Sequence, residues 1–79
     1  MTLDVRMPDI LAERAISGVM RLRMPHREGM TAADIVRAEG FTGEEAATIL
    51  VVVNGTQALD DTPIADGDVI ELVVPMVGG

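Results

Sequence analysis

The two glycines that end the sequence, Gly78-Gly79, are the residues whose type and position point most directly to chemistry. Glycine permits almost any backbone conformation and has no Cβ. A carboxylate carried on two glycines can therefore enter a narrow channel. Because an extended residue spans about 3.3 Å, residues 75–79 could carry that carboxylate about 15 Å beyond a folded body. A slim tail of that length suits delivery into another protein's active site, and we expect Gly78 and Gly79 to thread into it. A frayed terminus is the plainer interpretation of Gly-Gly alone.

A well-marked strand precedes the glycines, and this favours the chemical interpretation. Asp66-Gly67-Asp68 predicts a tight turn, and the residues after it alternate between two faces: Ile70, Leu72 and Val74 on one, and Val69, Glu71 and Val73 on the other. Beyond the strand, we expect an exposed apolar rim that docks a partner protein. Its predicted members are Val73, Pro75, Met76 and Val77.

Composition narrows the function classes. A chain of 79 residues with 48% hydrophobic residues makes one small domain. The absence of cysteine excludes disulfides, thiolate metal sites and cysteine nucleophiles. A net charge of −7 and a single aromatic residue, Phe41, argue against nucleic acids and anionic membranes as partners, and favour basic docking surfaces. Since no apolar run is long enough to span a membrane and no signal peptide opens the chain, we expect a cytoplasmic protein.

Arginine supplies every basic side chain, and lysine is absent. If the C-terminus becomes an activated acyl group, no lysine of a second copy can capture it. Arginine-biased codon usage would give the same composition by drift, so both explanations stay open.

Other residues with reactive or charged side chains give weaker indications of a functional site. His26 has no evident nucleophile beside it in sequence, and we interpret it as a surface loop residue. The acidic groups Glu44-Glu45, Asp60-Asp61 and Asp66/Asp68 do not follow a calcium-loop pattern, so we expect turns and solvated charges, with neither a metal nor a cofactor. The methionines mostly fall on positions expected to fill the core. Arg21 and Arg23 are expected to pair with carboxylates.

The order of the predicted elements defines a fold class. Alternation predicts strands over 2–7 and 19–25, separated by a helical turn over 9–15. Thr31 with Asp34 predicts a helix start, and Gly40 a helix end. The run 49–53 predicts a buried strand, and Asn54-Gly55 turns it into a short return strand. Residues 44–47 stay open. We therefore predict an α+β fold, a ubiquitin-like β-grasp: a mixed sheet of four to five strands with one helix packed across it.

The second half of the chain resembles a known family. Residues 61–72, Asp-Thr-Pro-Ile-Ala-Asp-Gly-Asp-Val-Ile-Glu-Leu, followed by Pro75-Met76-Val77-Gly78-Gly79, are similar to the C-terminal half of bacterial sulfur carriers, that is, the small subunit of molybdopterin synthase and the thiamine-pathway carrier (MoaD/ThiS-like). Residues 51–55 match the strand and turn before it. Thr62-Pro63 and the position of Pro75 favour the molybdopterin branch, although Glu71 and the Val74-Pro75 pair depart from its pattern.

This resemblance implies a mechanism and partners. A MoeB/ThiF-type, E1-like adenylating enzyme would use ATP to activate the Gly79 carboxylate. A persulfide sulfur donor would then convert it to a thiocarboxylate, which passes its sulfur to a synthase of the large molybdopterin synthase subunit type. The chain would be a carrier and subunit, not an enzyme. It would form a single domain over 1–79, with 75–79 as a flexible tail.

Two other functions fit the same sequence. A ubiquitin-like modifier would be joined through Gly79 to lysines of other proteins and would need the same activation. An inert β-grasp interaction module would leave the glycine pair without a role.

Overall fold

The computed structural model describes residues 1–75, and residues 76–79 lie outside the described part of the chain. Eight elements follow one another along the sequence. They are β1 (Thr2–Arg6), α1 (Asp9–Ala12), β2 (Arg21–Pro25), α2 (Ala32–Ala38), α3 (Gly43–Ala47), β3 (Leu50–Val53), β4 (Thr56–Ala58) and β5 (Val69–Val73). The predicted order of strands is confirmed.

The five strands form one mixed sheet in the order β2-β1-β5-β3-β4. The pairing of β1 with β5 is parallel, whereas β1 with β2, β3 with β4 and β3 with β5 are antiparallel. The last strand of the chain is therefore the central strand of the sheet. This topology, with α2 across one face, confirms the predicted ubiquitin-like β-grasp.

A single hydrophobic core lies between the helices and one face of the sheet. Its largest fully buried side chains come from every layer: Phe41, Leu3, Ile35, Ile70, Leu72 and Val5. On β1 and β5 the buried residues alternate with exposed or half-buried ones, as the period of a strand requires. The opposite face of the sheet carries no helix within residues 1–75, and we call it the open face.

Helix α2 begins where the sequence predicts. The backbone amide of Thr31 donates to the Asp34 carboxylate at 2.9 Å, which completes one arm of a capping box. Two further amides of the first turn, those of Ala32 and Ala33, donate to the carbonyl oxygens of Thr62 and Asp60, both at 3.0 Å. The start of α2 is thus fixed by the loop that leads into β5.

Helix α2 ends at a glycine with two roles. Gly40 has a φ of +89°, in the left-handed region, as a C-terminal cap needs. A Cβ at Gly40 would also lie 2.9 Å from Ile16 Cγ1, and the exposed side chain of Ile16 would have to move to admit it. Ile16 is held there because its amide donates to the Glu39 carbonyl oxygen at 2.9 Å. The side chain of Glu39 is buried and accepts a hydrogen bond from the Ser17 hydroxyl.

The first connection departs most from the sequence-based expectation. The helical turn is shorter than predicted, and its N-cap is Pro8 rather than Asp9. Strand β2 begins at Arg21, and Met20, expected on the core face, is 54% exposed. The alternation suggested a longer strand because the exposed Met20 happens to continue the apolar period of Leu22 and Met24. Residues 43–47, left open by the sequence, form the short helix α3.

Candidate functional site

Strand β5 leads into the predicted tail. It is hydrogen-bonded on both sides, to β1 through the pairs Asp4–Val69, Val5–Ile70 and Arg6–Glu71, and to β3 through four pairs from Val53–Ile70 to Leu50–Val73. Ile70 and Leu72 are fully buried in the core. A force on the tail would therefore act on a strand that is hydrogen-bonded on both sides.

The first residues of β5 are fixed by a polar cluster that we call the base cluster: Asn54, Ala65, Asp68 and Val69. The Asp68 carboxylate accepts from the Asn54 side-chain amide at 2.9 Å and from the Ala65 backbone amide at 2.8 Å. In return, the Val69 amide donates to the Asn54 side-chain oxygen at 2.9 Å, and the Asn54 amide donates to the Val69 carbonyl oxygen at 2.8 Å. The base cluster joins the β3–β4 turn to the start of β5.

Conformation explains two glycines of this region. Asn54 has a φ of +50° and Gly55 a φ of +86°, the combination that a two-residue hairpin turn requires. Gly67 has a φ of +85°, and its amide donates to the Thr2 carbonyl oxygen at 3.0 Å. Asp66-Gly67-Asp68 is thus a turn that also contacts β1, in agreement with the predicted turn.

The Thr62-Pro63-Ile64 segment ties the helix layer to the base of β5. The Thr62 hydroxyl accepts from the Leu59 amide at 2.9 Å, and Pro63 forms an isolated bridge with Thr31. Ile64 is a buried anchor, as predicted, and its amide donates to the Met30 carbonyl oxygen at 2.9 Å. His26, which we expected to be a simple surface residue, is half-buried, and its Nε2 lies 2.8 Å from the Ile64 carbonyl oxygen. Its role here is to hold two loops together.

The last residues of β5 are held differently. The β1 ladder ends at the pair Arg6–Glu71, so Leu72 and Val73 pair only with β3. Pro8 follows shortly after β1, and because proline has no amide hydrogen it cannot extend that ladder. Val73 is half-buried on the open face, Val74 packs partly against the core, and Pro75 is exposed. The strand therefore projects beyond β1 as it approaches the predicted tail.

An apolar strip surrounds Val73 on the open face. Val73 lies opposite Leu50, and Val52 is the next residue of β3 on the same side; all three are half-buried. Residues that alternate with buried positions and pair directly across strands lie close enough for side-chain contact. We call Leu50, Val52 and Val73 the tip strip.

Arginines occupy the other half of the open face. Arg6, Arg21 and Arg23 lie on β1 and β2, alternating with core residues. The Asp4 carboxylate accepts from both Arg21 and Arg6, each at 3.1 Å, and these hydrogen bonds lower the pKa of Asp4 below its ordinary value. The predicted carboxylate partner is thus found for Arg21, and one carboxylate serves two guanidinium groups. Arg6, Arg21 and Arg23 outnumber the Asp4 and Glu71 carboxylates on this face by one. A partner here would therefore meet a small excess of positive charge, although the chain as a whole is acidic.

The predicted site residues fall into two groups. Val73 and Pro75 lie side by side at the projecting end of β5, whereas Met76, Val77, Gly78 and Gly79 lie outside the described residues. Sequence reasoning missed Leu50 and Val52 as neighbours of Val73. It also placed Arg6 in no role. The sequence shows which residues of each strand share a face. It does not show which strands are neighbours, and the contacts among these residues depend on that strand order.

The geometry defines a class of protein: a β-grasp domain whose central strand leads into the C-terminal residues. Residues 12–79 match the profile of the ThiS family. Two crystal structures of small archaeal modifier protein 1 (SAMP1) of Haloferax volcanii are similar. One is 27% identical with full coverage of both chains and a TM-score of 0.74. The other is 24% identical, covers 95% of this chain and 98% of that one, and has a TM-score of 0.75.

A third structure has the same fold. A candidate molybdopterin converting factor subunit 1 of Pyrococcus furiosus is 22% identical, covers 96% of this chain and 99% of that chain, and has a TM-score of 0.72. Because the family profile matches most of the sequence, this chain belongs to the ThiS family of ubiquitin-like sulfur carriers. It is therefore a small protein of the carrier or modifier type rather than a catalyst. The resemblance to this family that the second half of the chain indicated is confirmed.

Membrane-spanning helices and metal clusters are both absent from the described residues. Among residues 1–75, no helix is long and apolar enough to cross a membrane. Within the same range, no three histidine, aspartate or glutamate side chains gather in a way that could hold a metal ion.

Proposed function

We propose that this protein carries sulfur as a thiocarboxylate on Gly79, and that the molybdopterin branch is the destination. The observation that carries the proposal is the construction of β5, whose start is clamped by the base cluster and whose end projects past β1 toward residues 76–79. A carrier needs a rigid grip behind a slim reactive end, because the carboxylate must be placed inside two different active sites. Membership of the ThiS family supports the same chemistry.

The proposed reaction has two stages. A carboxylate oxygen of Gly79 attacks the α-phosphorus of ATP and displaces pyrophosphate, which leaves an acyl adenylate. A persulfide then attacks the acyl carbon and displaces AMP, and a thiol cleaves the resulting acyl disulfide to release the thiocarboxylate. An E1-like adenylating enzyme supplies the first active site, and a large synthase subunit receives the sulfur. The chain contributes the carboxylate and its placement, and needs no cofactor of its own.

We further propose that the tip strip and Pro75 dock these partners, together with Met76 and Val77. Val73 offers apolar surface at the point where the strand leaves the sheet, so a partner that grips it also fixes the direction of the tail. The neighbouring arginines Arg6, Arg21 and Arg23 would be complemented by acidic groups on the partner. This reverses the expectation from net charge, which favoured basic docking surfaces.

The choice of the molybdopterin branch rests on the sequence pattern. Thr62-Pro63 and the position of Pro75 follow the pattern of that branch. A molybdopterin converting factor candidate also shares the fold, although at 22% identity this likeness concerns the fold alone. A thiamine pathway is the competing destination, and the two are distinguished by which synthase accepts sulfur from the loaded chain.

Protein modification is the second candidate function, and the similarity to SAMP1, a modifier by name, favours it. A modifier would form an amide between Gly79 and a lysine of another protein. In lysate of cells that express a tagged chain, this function predicts tagged bands of higher mass that resist thiol reductants. A carrier alone predicts that the tag stays at the mass of the free chain.

The first stage can be tested by ATP–pyrophosphate exchange with a purified activating enzyme. We expect the full chain to support exchange and the chain without Gly79 to support none, since the reacting carboxylate is then displaced by one residue. Equal exchange with both chains would contradict activation at Gly79. Melting temperatures should agree between the two chains, because residues 1–75 hold the core.

A further inference from the structure

A groove at the β4 edge of the sheet is not used by the proposed sulfur chemistry, although Leu50 of the tip strip also lines it. It lies between the helix layer and the free edge of β4, with a volume of about 800 Å³. Small residues line much of it, among them Ala33, Gly43, Ala46, Ala47 and Ala58. Because these side chains are short, the space between α2, α3 and β4 stays open to a bulkier visiting side chain.

One wall of the groove is an unpaired strand edge. β4 is the last strand of the sheet order and pairs only with β3 among the described residues. Since Val53 and Thr56 flank a two-residue turn, they form a hydrogen-bonded pair, and the next pair, Val52–Gln57, does not. The backbone N–H and C=O of Gln57 therefore point away from the sheet. An extended peptide can bind such an edge by adding a strand.

The rim of the groove is apolar at one point and acidic at the next. Leu59 is 73% exposed, and Asp60 and Asp61 follow it, both exposed. Neither aspartate forms an ion pair with any residue of the described chain, whereas Arg37, the only basic residue of the lining, donates to Asp34 at 3.0 Å. The groove thus presents two uncompensated negative charges beside an exposed leucine.

We propose that this groove binds an extended, lysine- or arginine-bearing segment of another protein, which pairs with Gln57 as an added strand. An aliphatic side chain of the segment lies over the small residues of α3, and a basic side chain contacts Asp60 and Asp61. A second copy of this chain is a poor occupant, because each copy carries a net charge of −7 and would be repelled overall. The site does not depend on the proposed sulfur chemistry.

The test uses the full ¹⁵N-labelled chain and two terminally blocked peptides, Lys-Val-Leu-Val-Lys and Glu-Val-Leu-Val-Glu. We expect the basic peptide to shift the backbone amide resonances of residues 42–47 and 57–61 in a saturable way. The acidic peptide should leave them unchanged. Shifts confined to the open face, equal binding of both peptides, or no binding of the basic peptide would overturn the proposal.

Two variants locate the contacts. Asp60→Asn with Asp61→Asn should weaken the binding of the basic peptide by about fivefold. The charge-matched pair Glu28→Gln with Asp66→Asn, outside the groove, should leave that binding unchanged.

Ala47→Trp should fill the groove and abolish binding of the basic peptide. Ala38→Trp, at an exposed alanine beyond the lining, is its control. If Ala47→Trp binds like wild type, the peptide is not in the groove. Pyrophosphate exchange should be unchanged in all four variants, so a failure of this site and a failure of sulfur carriage are separately visible.

Discussion

At its first residues β5 is joined to β1, to the β3–β4 turn and to the loop before it, whereas at its last residues it is joined within residues 1–75 to β3 alone. The first end is polar and its hydrogen-bonding groups are mutually satisfied. The second end is apolar, half-buried and open to a partner. The contrast teaches that one strand can combine a fixed base with an accessible tip, the combination that a protein with a reactive terminus needs.

The largest expected effect comes from making the tip polar. Val73→Gln should lower the rate of pyrophosphate exchange by about tenfold, because a partner would have to desolvate an amide where it now meets apolar surface. Val69→Gln is the matched control, since Val69 is also half-buried on the open face but lies at the base of the strand. Equal losses for the two variants would contradict a docking surface centred on the tip.

Breaking the base cluster should affect stability rather than docking. Asn54→Ala removes both side-chain hydrogen bonds and places alanine at a left-handed φ, and we expect the free energy of unfolding to fall by about 1–2 kcal/mol. Urea denaturation measures this loss, with the exposed Gln57→Ala as control. Exchange at saturating chain concentration should stay near wild type; a loss as large as that of Val73→Gln would remove the distinction between base and tip.

A smaller effect is expected from the arginines of the open face. Arg23 has no carboxylate partner within the described residues, so Arg23→Gln should raise the concentration of chain needed for half-maximal exchange by about twofold to threefold. The effect should shrink as sodium chloride is raised, because exposed charges are screened. Arg14→Gln, which removes a positive charge far from this face, provides the comparison. An identical response of both variants would indicate a general charge effect.

The smallest effect concerns pH. The Thr31 amide and hydroxyl, with Arg37, lower the pKa of Asp34 from its ordinary value of 3.8. A carboxylate whose pKa is lower in the folded state stabilises the fold above the unfolded value and loses that contribution as pH falls through the folded one. Asp34→Asn should therefore be less stable than wild type at neutral pH, and the difference should narrow below pH 3.8. Thermal melts across that range measure it; a constant difference would contradict the linkage.

The sequence predicted the second half of the molecule more fully than the first. The β-branched run in 49–53, Asn54-Gly55 and Asp66-Gly67-Asp68 are local signals, and each strand and turn they predict is present. The connection from Asp9 to Met20 was harder. Its path depends on contacts distant in sequence, such as the Ile16 amide on the Glu39 carbonyl oxygen, and no local pattern encodes them.

The candidate site shows the same limit. Val73 and Pro75 could be proposed from the sequence because they lie shortly before the glycine pair. Leu50, Val52 and the arginines could not, since their nearness to Val73 follows from a strand order in which the last strand lies between the first and the third. The side-chain link between Asn54 and Asp68 was likewise invisible, although both residues were recognised as turn formers.

The central claim is that Gly79 accepts sulfur, and the intact mass of the full chain tests it most directly. The chain is incubated with ATP, a persulfide donor, a thiol and a carrier-activating enzyme. The account predicts a mass gain equal to the difference between sulfur and oxygen, located by fragmentation to Gly79 and absent when ATP is omitted. As a control, the activating enzyme's own carrier is included in the same mixture and should gain the thiocarboxylate. If that carrier gains mass and this chain does not, sulfur carriage is contradicted.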